Sequence, residues 1–270
     1  MIVKQFRTGG DRNFGYLVAD EVSGEALAID VSFNPGMIVR FAAECGFMFR
    51  YIFSTHGHDD HTNGNDAIRQ MTGLVPLLYG ENCLRTGIRV EDGALFPLGS
   101  LEARILHTPG HTKDSVCIYI GDALFTGDTL FTGKVGGTGT EEQARQEYES
   151  LHHKLMVLSE ETTVYPGHDY GVLPLSSIGN ERATNPFLLQ KNYRNMFLLW
   201  LLLFLLLSNL LRLFRKVLFH QRHIFLLEFL TPLPSEKFLF LPFLDNNHHE
   251  NILFPLLPKS LSNALFFNTF

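Results

Sequence analysis

The densest chemistry in this chain is the run Thr55-His56-Gly57-His58-Asp59-Asp60-His61. Three imidazoles and two carboxylates fall within six residues. Protonated imidazoles packed this closely repel one another, and a shared cation relieves the repulsion. His56 and His58 are two apart, so both side chains can point the same way from an extended segment. Asp60 and His61 follow about one turn later. The pattern H-x-H-x-D-H therefore offers two groups of ligands, one for each of two metal ions. Three further segments carry the same residue types: Thr108-Pro109-Gly110-His111-Thr112, Phe125-Thr126-Gly127-Asp128-Thr129 and Tyr165-Pro166-Gly167-His168-Asp169. Taken singly, His111 and His168 read equally well as surface-turn residues, and Asp128 as a turn cap. Four strand-end segments in succession, each supplying His or Asp, point to one metal site.

Other polar residues fit plainer roles. His107 ends a strand, with a place behind a ligand as its alternative. His152 and His153 fall on the outer side of a long helix, and Asp59 faces solvent. Asp30 ends a strand and fits either a turn or a place behind the site. Gly133, Gly136, Gly137 and Gly139 follow no phosphate-binding pattern and are expected to shape a loop near the metals.

The elements that must position these residues are legible in outline. Strands are expected over 13–20 and 25–30, joined by a turn at 21–24, and over 49–54, which leads into Thr55. Pro35-Gly36 opens an amphipathic helix with Met37, Ile38, Phe41, Ala42 and Cys45 on one face, and Gly46 caps it. A helix over 62–72 and a short strand over 75–79 come next. The alternating run 101–107 stops at Pro109-Gly110. Residues 115–120 and 123–126 form a hairpin around Gly121-Asp122. A long helix over 141–158 turns Ala144, Tyr148, Leu151, Leu155 and Leu158 inward, and a strand over 162–165 reaches Pro166-Gly167. Helices alternating with strands, together with hairpins, indicate an α/β sandwich with mixed sheets.

Residues 1–190 carry ten more acidic than basic side chains, and residues 191–270 four more basic than acidic, which together make the net charge of -6. The acidic front excludes nucleic acid as its partner, since phosphate contacts need clustered Lys and Arg. Three cysteines, Cys45, Cys83 and Cys117, form no disulfide pattern, and Cys117 reads as core. Met1 to Phe6 has no secretory pattern, so a cytoplasmic location is the default expectation.

The chain changes character near residue 190. All 23 glycines precede it, and Leu and Phe dominate the residues beyond it. Met196 to Leu207 is an unbroken apolar run. The expected organisation is a domain over 1–190 and a Leu/Phe-rich tail over 191–270, the latter including His248 and His249. Three readings of the tail stay open: a membrane segment near 196–214, a buried helix or partner-binding segment, and a frameshift or read-through product.

The ordered set H-x-H-x-D-H, T-P-G-H-T, F-T-G-D and P-G-H resembles the metallo-β-lactamase superfamily, on its glyoxalase II-like (hydroxyacylglutathione hydrolase-like) branch. The resemblance covers roughly residues 10–190. It implies a four-layer αββα sandwich with the site at one edge of two sheets. It implies one metal on His56, His58 and His111, a second on Asp60, His61 and His168, and Asp128 bridging. Zinc is the first expectation, with iron or manganese as alternatives. The implied reaction is hydrolysis of a small-molecule thioester or related ester, in which a water shared by two metal ions loses its proton near neutral pH and attacks the carbonyl. Asp60 would orient it, and Lys134 would contact an acidic substrate group. Thr132 to Gly137 stands where glyoxalase II carries a Cys-Gly-Arg stretch, and the tail does not resemble that enzyme's helical domain. The persulfide dioxygenase branch is similar too, through Tyr165 to Tyr170, Ser176-Ser177-Ile178, Glu181 and Asn185-Pro186. It would use one iron on His56, His111 and Asp128, although its Arg-Gly-Cys-Gly-Arg segment is missing. A non-catalytic or tail-inactivated metal-binding protein is the third reading.

Overall fold

Strict alternation of side chains along β-strands decides this fold, because two sheets each need one face for a shared core and one for helices. The computed structural model describes residues 1–220, with side chains through residue 206. The first sheet contains β1 (Ile2–Gly9), β2 (Asn13–Ala19), β3 (Glu25–Ile29) and β4 (Met48–Phe53), in that order. β1, β2 and β3 pair antiparallel, whereas β3 and β4 run parallel. Between β3 and β4 lies α1 (Pro35–Glu44). After β4 come the single turn α2 (Asp59–Thr62) and then α3 (Asn65–Thr72).

The second sheet uses β5 (Leu95–Leu98), β6 (Leu101–His107), β7 (Val116–Ile120) and β8 (Ala123–Gly127). A two-strand ladder of β9 (Leu130–Phe131) and β10 (Lys134–Val135) comes next. Helix α4 (Glu141–Ser150) continues into a π-helical turn, Leu151–Leu155. β11 (Thr163–Pro166) and β12 (Ser176–Ser177) complete the sheet in the order β12-β11-β8-β7-β6-β5. Helices α5 (Ile178–Thr184) and α6 (Tyr193–His220) come last.

Three apolar layers hold these parts. Phe14, Tyr16 and Val18 of β2 face Ile105, Ile118 and Phe125 between the sheets. The intervening Leu17 and Ala19 turn outward onto Ile38 and Ala42 of α1 and Ile68 of α3. On the far side Cys117, Leu124 and Val164 pack with Leu151, Leu155 and Ile178. The expected four-layer αββα sandwich results. Packing continues past residue 190: Met196 is 2% exposed and sits in this last layer.

Strand direction explains where a site can form. β6 and β8 are both antiparallel to β7, and β11 is parallel to β8. The three therefore point their C-terminal ends at one edge, so the loops carrying His111, Asp128 and His168 emerge together. The two sheets are stitched at that edge. Val116 N–H donates to Thr55 O at 2.8 Å, and Phe14 N–H donates to Gly167 O at 2.8 Å. Tyr16 Oη–H donates to Pro166 O across the core.

Several expectations need correction. Residues 75–79 are not a strand; only Leu77 bridges, to Phe53. Leu77 makes both of its backbone bonds to the end of β4, its N–H donating to Ile52 O and its C=O accepting from Ser54 N–H, and the chain turns from Tyr79. The helix expected over 62–72 starts only at Asn65: Thr62 closes α2, and Gly64, packed so closely on the Val31 carbonyl that no side chain would fit, stands as the N-cap of α3. The long helix leaves α geometry after Ser150. β1 and β5 were not foreseen.

No helix among the described residues is long and apolar enough to cross a membrane. Part of the 196–214 segment, and His248 and His249, lie outside the described side chains.

Tyr16→Phe should destabilise the domain by about 1–3 kcal/mol, since it leaves the buried Pro166 carbonyl without its donor. Equilibrium denaturation would measure this.

Candidate metal centre

The structure brings all seven expected residues to the stitched edge. His56 follows β4, and His58 caps the turn α2, which carries Asp60 and His61. Asp128 follows β8 and His168 follows β11, while His111 lies in the β6–β7 loop. His56 Nε2 is 2.9 Å from His58 Nδ1, and His111 Nε2 is 3.1 Å from the same atom. His61 Nε2 is 3.2 Å from His168 Nε2, which is 3.3 Å from Asp60 Oδ2. Asp128 faces both groups: Oδ2 is 3.6 Å from His111 Nε2, and Oδ1 is 3.2 Å from His61 Nε2.

These donors fit a metal pair. Ligand atoms around a tetrahedral zinc, with bonds of about 2.0–2.1 Å, stand about 3.3 Å apart. Three sets satisfy this closeness, each with ligand atoms within 4.8 Å of one another: His56, His58 and His111; His56, His61 and Asp128; and Asp60, His61 and His168. The buried Asp128 Oδ1 closes no hydrogen bond of ordinary geometry among the described residues. It lies 3.2 Å from His61 Nε2 and 3.4 Å from His168 Nε2, and a buried carboxylate needs such cationic groups, or a metal ion, beside it.

Four of the five imidazoles are oriented from behind. His61 Nδ1–H donates to Asp30 Oδ2 at 3.0 Å. His168 Nδ1–H donates to Asp11 O at 2.8 Å, and His111 Nδ1–H to Gly137 O at 2.9 Å. Thr55 Oγ1–H donates to Asp30 Oδ2 at 2.8 Å, which leaves its lone pair facing His56 Nδ1 at 3.2 Å. His58 alone turns Nδ1 inward. Asp30 thus acts behind the site, the second of its two expected roles. Asn13 was missed. It is wholly buried, and its Nδ2 donates to Asp60 Oδ2 at 3.0 Å and to Asp60 O at 3.1 Å. The only sequence signal for it was its position at the start of β2.

The charge balance divides the histidines. Burial, then neighbouring His61, pushes the His56 pKa well below its ordinary value, and burial followed by His111 lowers that of His58. Burial also opposes protonation of His61, but Asp30 and Asp128 outweigh it and hold its pKa well above the ordinary value. His168, buried but facing Asp128 and Asp60, is raised to about 9. Burial alone would raise Asp60 and Asp128, yet His168 and His61 hold both below the usual carboxylate range.

Lys134 lies on β10, where burial and then Arg12 lower its pKa to about 8. The Arg12 guanidinium is 5.0 Å from the centre of the Tyr170 ring, which stacks on His168 at 4.6 Å. His107 stacks on Tyr79 at 3.9 Å. His153 and Asp59 are exposed, and His152 is half-buried against Tyr148. Cys117 is in the core as expected.

Residues 16–168 match the metallo-beta-lactamase superfamily. The chain belongs to that superfamily. Within it, a hydroxyacylglutathione hydrolase of Maricaulis maris is 33% identical over 181 residues, covering 63% of this chain and 67% of the relative. The mitochondrial persulfide dioxygenase ETHE1 of Homo sapiens is 31% identical over 178 residues, covering 64% and 70%. The crystal structure of ETHE1 from Myxococcus xanthus superposes with a TM-score of 0.67 at 32% identity, covering 74% of this chain and 90% of that one. The superfamily's fold is the sandwich described above.

Because His61 and His168 are held protonated without metal, each must give up a proton to bind it. Loading zinc at pH 7 should release about two protons per chain, measurable by calorimetry in buffers of different ionisation enthalpy. Affinity should rise with pH up to about 9, the raised pKa at which His168 loses its proton unaided. Asp30→Asn should weaken metal binding about 10–100-fold, read from competition with a chelator.

Proposed function

We propose that residues 1–190 form a binuclear metallohydrolase that cleaves a thioester or related ester, as a hydroxyacylglutathione hydrolase does. The observation that carries this reading is the pair of donor sets, His56–His58–His111 and Asp60–His61–His168, with Asp128 between them. Two divalent ions, zinc first with iron or manganese as alternatives, would supply a water acidic enough to attack at neutral pH and a Lewis acid for the carbonyl oxygen.

The chain's own residues do the rest. Asp60, held by the Asn13 amide, would orient the attacking water. Asp128 holds the two donor sets in register. Phe131 and Tyr170 flank His168 and shield that side from bulk water. Lys134, on β10, would meet an acidic group of the substrate. A thiolate leaves without much acid assistance, so a thioester is a natural substrate. The partner is a small molecule, and the similarity to hydroxyacylglutathione hydrolases supports a thioester.

A second reading is carried by the similarity to the persulfide dioxygenases. There a single iron would sit on His56, His111 and Asp128, and His58, His61 and His168 would be neighbours rather than ligands.

Elemental analysis of the protein purified without added metal separates the two. About two ions per chain supports the hydrolase, one iron per chain supports the dioxygenase, and a folded metal-free protein refutes both. His58→Ala should lower thioester hydrolysis by about 100-fold or more, since it removes a ligand that supports several kcal/mol of charge stabilisation. Hydrolysis that survives this change rejects the binuclear assignment.

A further inference from the structure

Helix α4 buries a carboxyl group that the proposed reaction does not use. Glu147 is 1% exposed, and neither of its oxygens closes a hydrogen bond of ordinary geometry among the described residues. Such a group is rare in a folded protein and calls for a reason. Its surroundings supply one. Gly110 packs its backbone directly on that of Glu147, so closely that no side chain would fit there. A methyl on Gly136 would meet the Asp128 carbonyl, His111 Cβ and Glu147 Oε1 together. The main-chain amides of Gly136 and His111 both face the carboxyl. One turn further on, Ser150 Oγ–H donates to Pro109 O at 2.8 Å, so the same face of α4 grips the same loop twice.

We infer that Glu147 is a positioning residue that braces the His111 loop against the Gly136–Gly137 strip, fixing the direction of His111 Nε2. The two segments it touches are those joined by the His111 Nδ1–H to Gly137 O bond. Without the brace, that bond can shift and His111 leaves its place 3.1 Å from His58 Nδ1. The inference rests on His111 being a metal ligand.

The test is release of zinc from the full-length, zinc-loaded protein into excess chromophoric chelator, beside thermal unfolding. Glu147→Gln keeps an oxygen for the facing amides and should release zinc within about threefold of the wild-type rate. Glu147→Leu fills the space but offers no acceptor, and one of the two ions should leave about 10–100-fold faster. Glu147→Asp withdraws the carboxyl by one methylene and should behave like the Leu variant, which keeps the test decisive if the Leu variant does not fold. Release at the wild-type rate from Glu147→Leu or Glu147→Asp overturns the inference alone. So does a Gln variant that loses zinc as fast as the Leu variant. A wild-type protein that holds no zinc overturns the metal reading itself, and this inference with it.

Discussion

Asp30 is the residue on which the rest of the site depends. It is a carboxylate at 1% exposure, and without partners it would cost several kcal/mol. Three donors meet it: Thr55 N–H, Thr55 Oγ1–H and His61 Nδ1–H. Those bonds tie the end of β3 to the end of β4, set the tautomer of His61 and leave the Thr55 hydroxyl to orient His56. Asp30 reaches them from a left-handed backbone at φ 51, a conformation that costs about 1–3 kcal/mol and persists only when its surroundings enforce it.

The same economy of charge runs through the ligands. His56 and His58 are held neutral by burial and by each other's neighbours, while His61 and His168 are held charged by three carboxylates. Protons on that second pair balance Asp60 and Asp128, which a divalent ion would otherwise do. The half of the site that carries both protons and carboxylates is therefore the half whose metal affinity depends more on pH.

The sandwich supplies the frame for this balance. Parallel β6, β8 and β11 deliver their loops to one edge, and bonds from β2 and β4 close the sheets there. Outside the second sheet, α4 reaches under the β6–β7 loop with Glu147 and Ser150. The site is thus held from the first sheet through Asp30 and Asn13, and from the helix layer through α4.

Residue types and order were enough to name the seven ligand candidates and the layered architecture, because dense imidazoles and carboxylates at strand ends have few other uses and alternation marks which face of a strand is buried. Local readings failed where a neighbour far along the chain decided the outcome. The strand read over 75–79 shrinks to one bridge from Leu77 to Phe53, Gly64 between α2 and α3 packs on the Val31 carbonyl, and β1 went unread because its pairing with β2 only forms in three dimensions. Of the residues behind the ligands, Asp30 was legible as one of two options, whereas Asn13 and Glu147 were hidden for the same reason. Asp30, Asn13 and Glu147 lie 31, 47 and 36 positions from His61, Asp60 and His111, so no spacing in the sequence links them. Composition and local order determined which groups could bind metal; only tertiary packing decided which nitrogen each imidazole presents, because that choice belongs to hydrogen-bond partners brought in from distant segments.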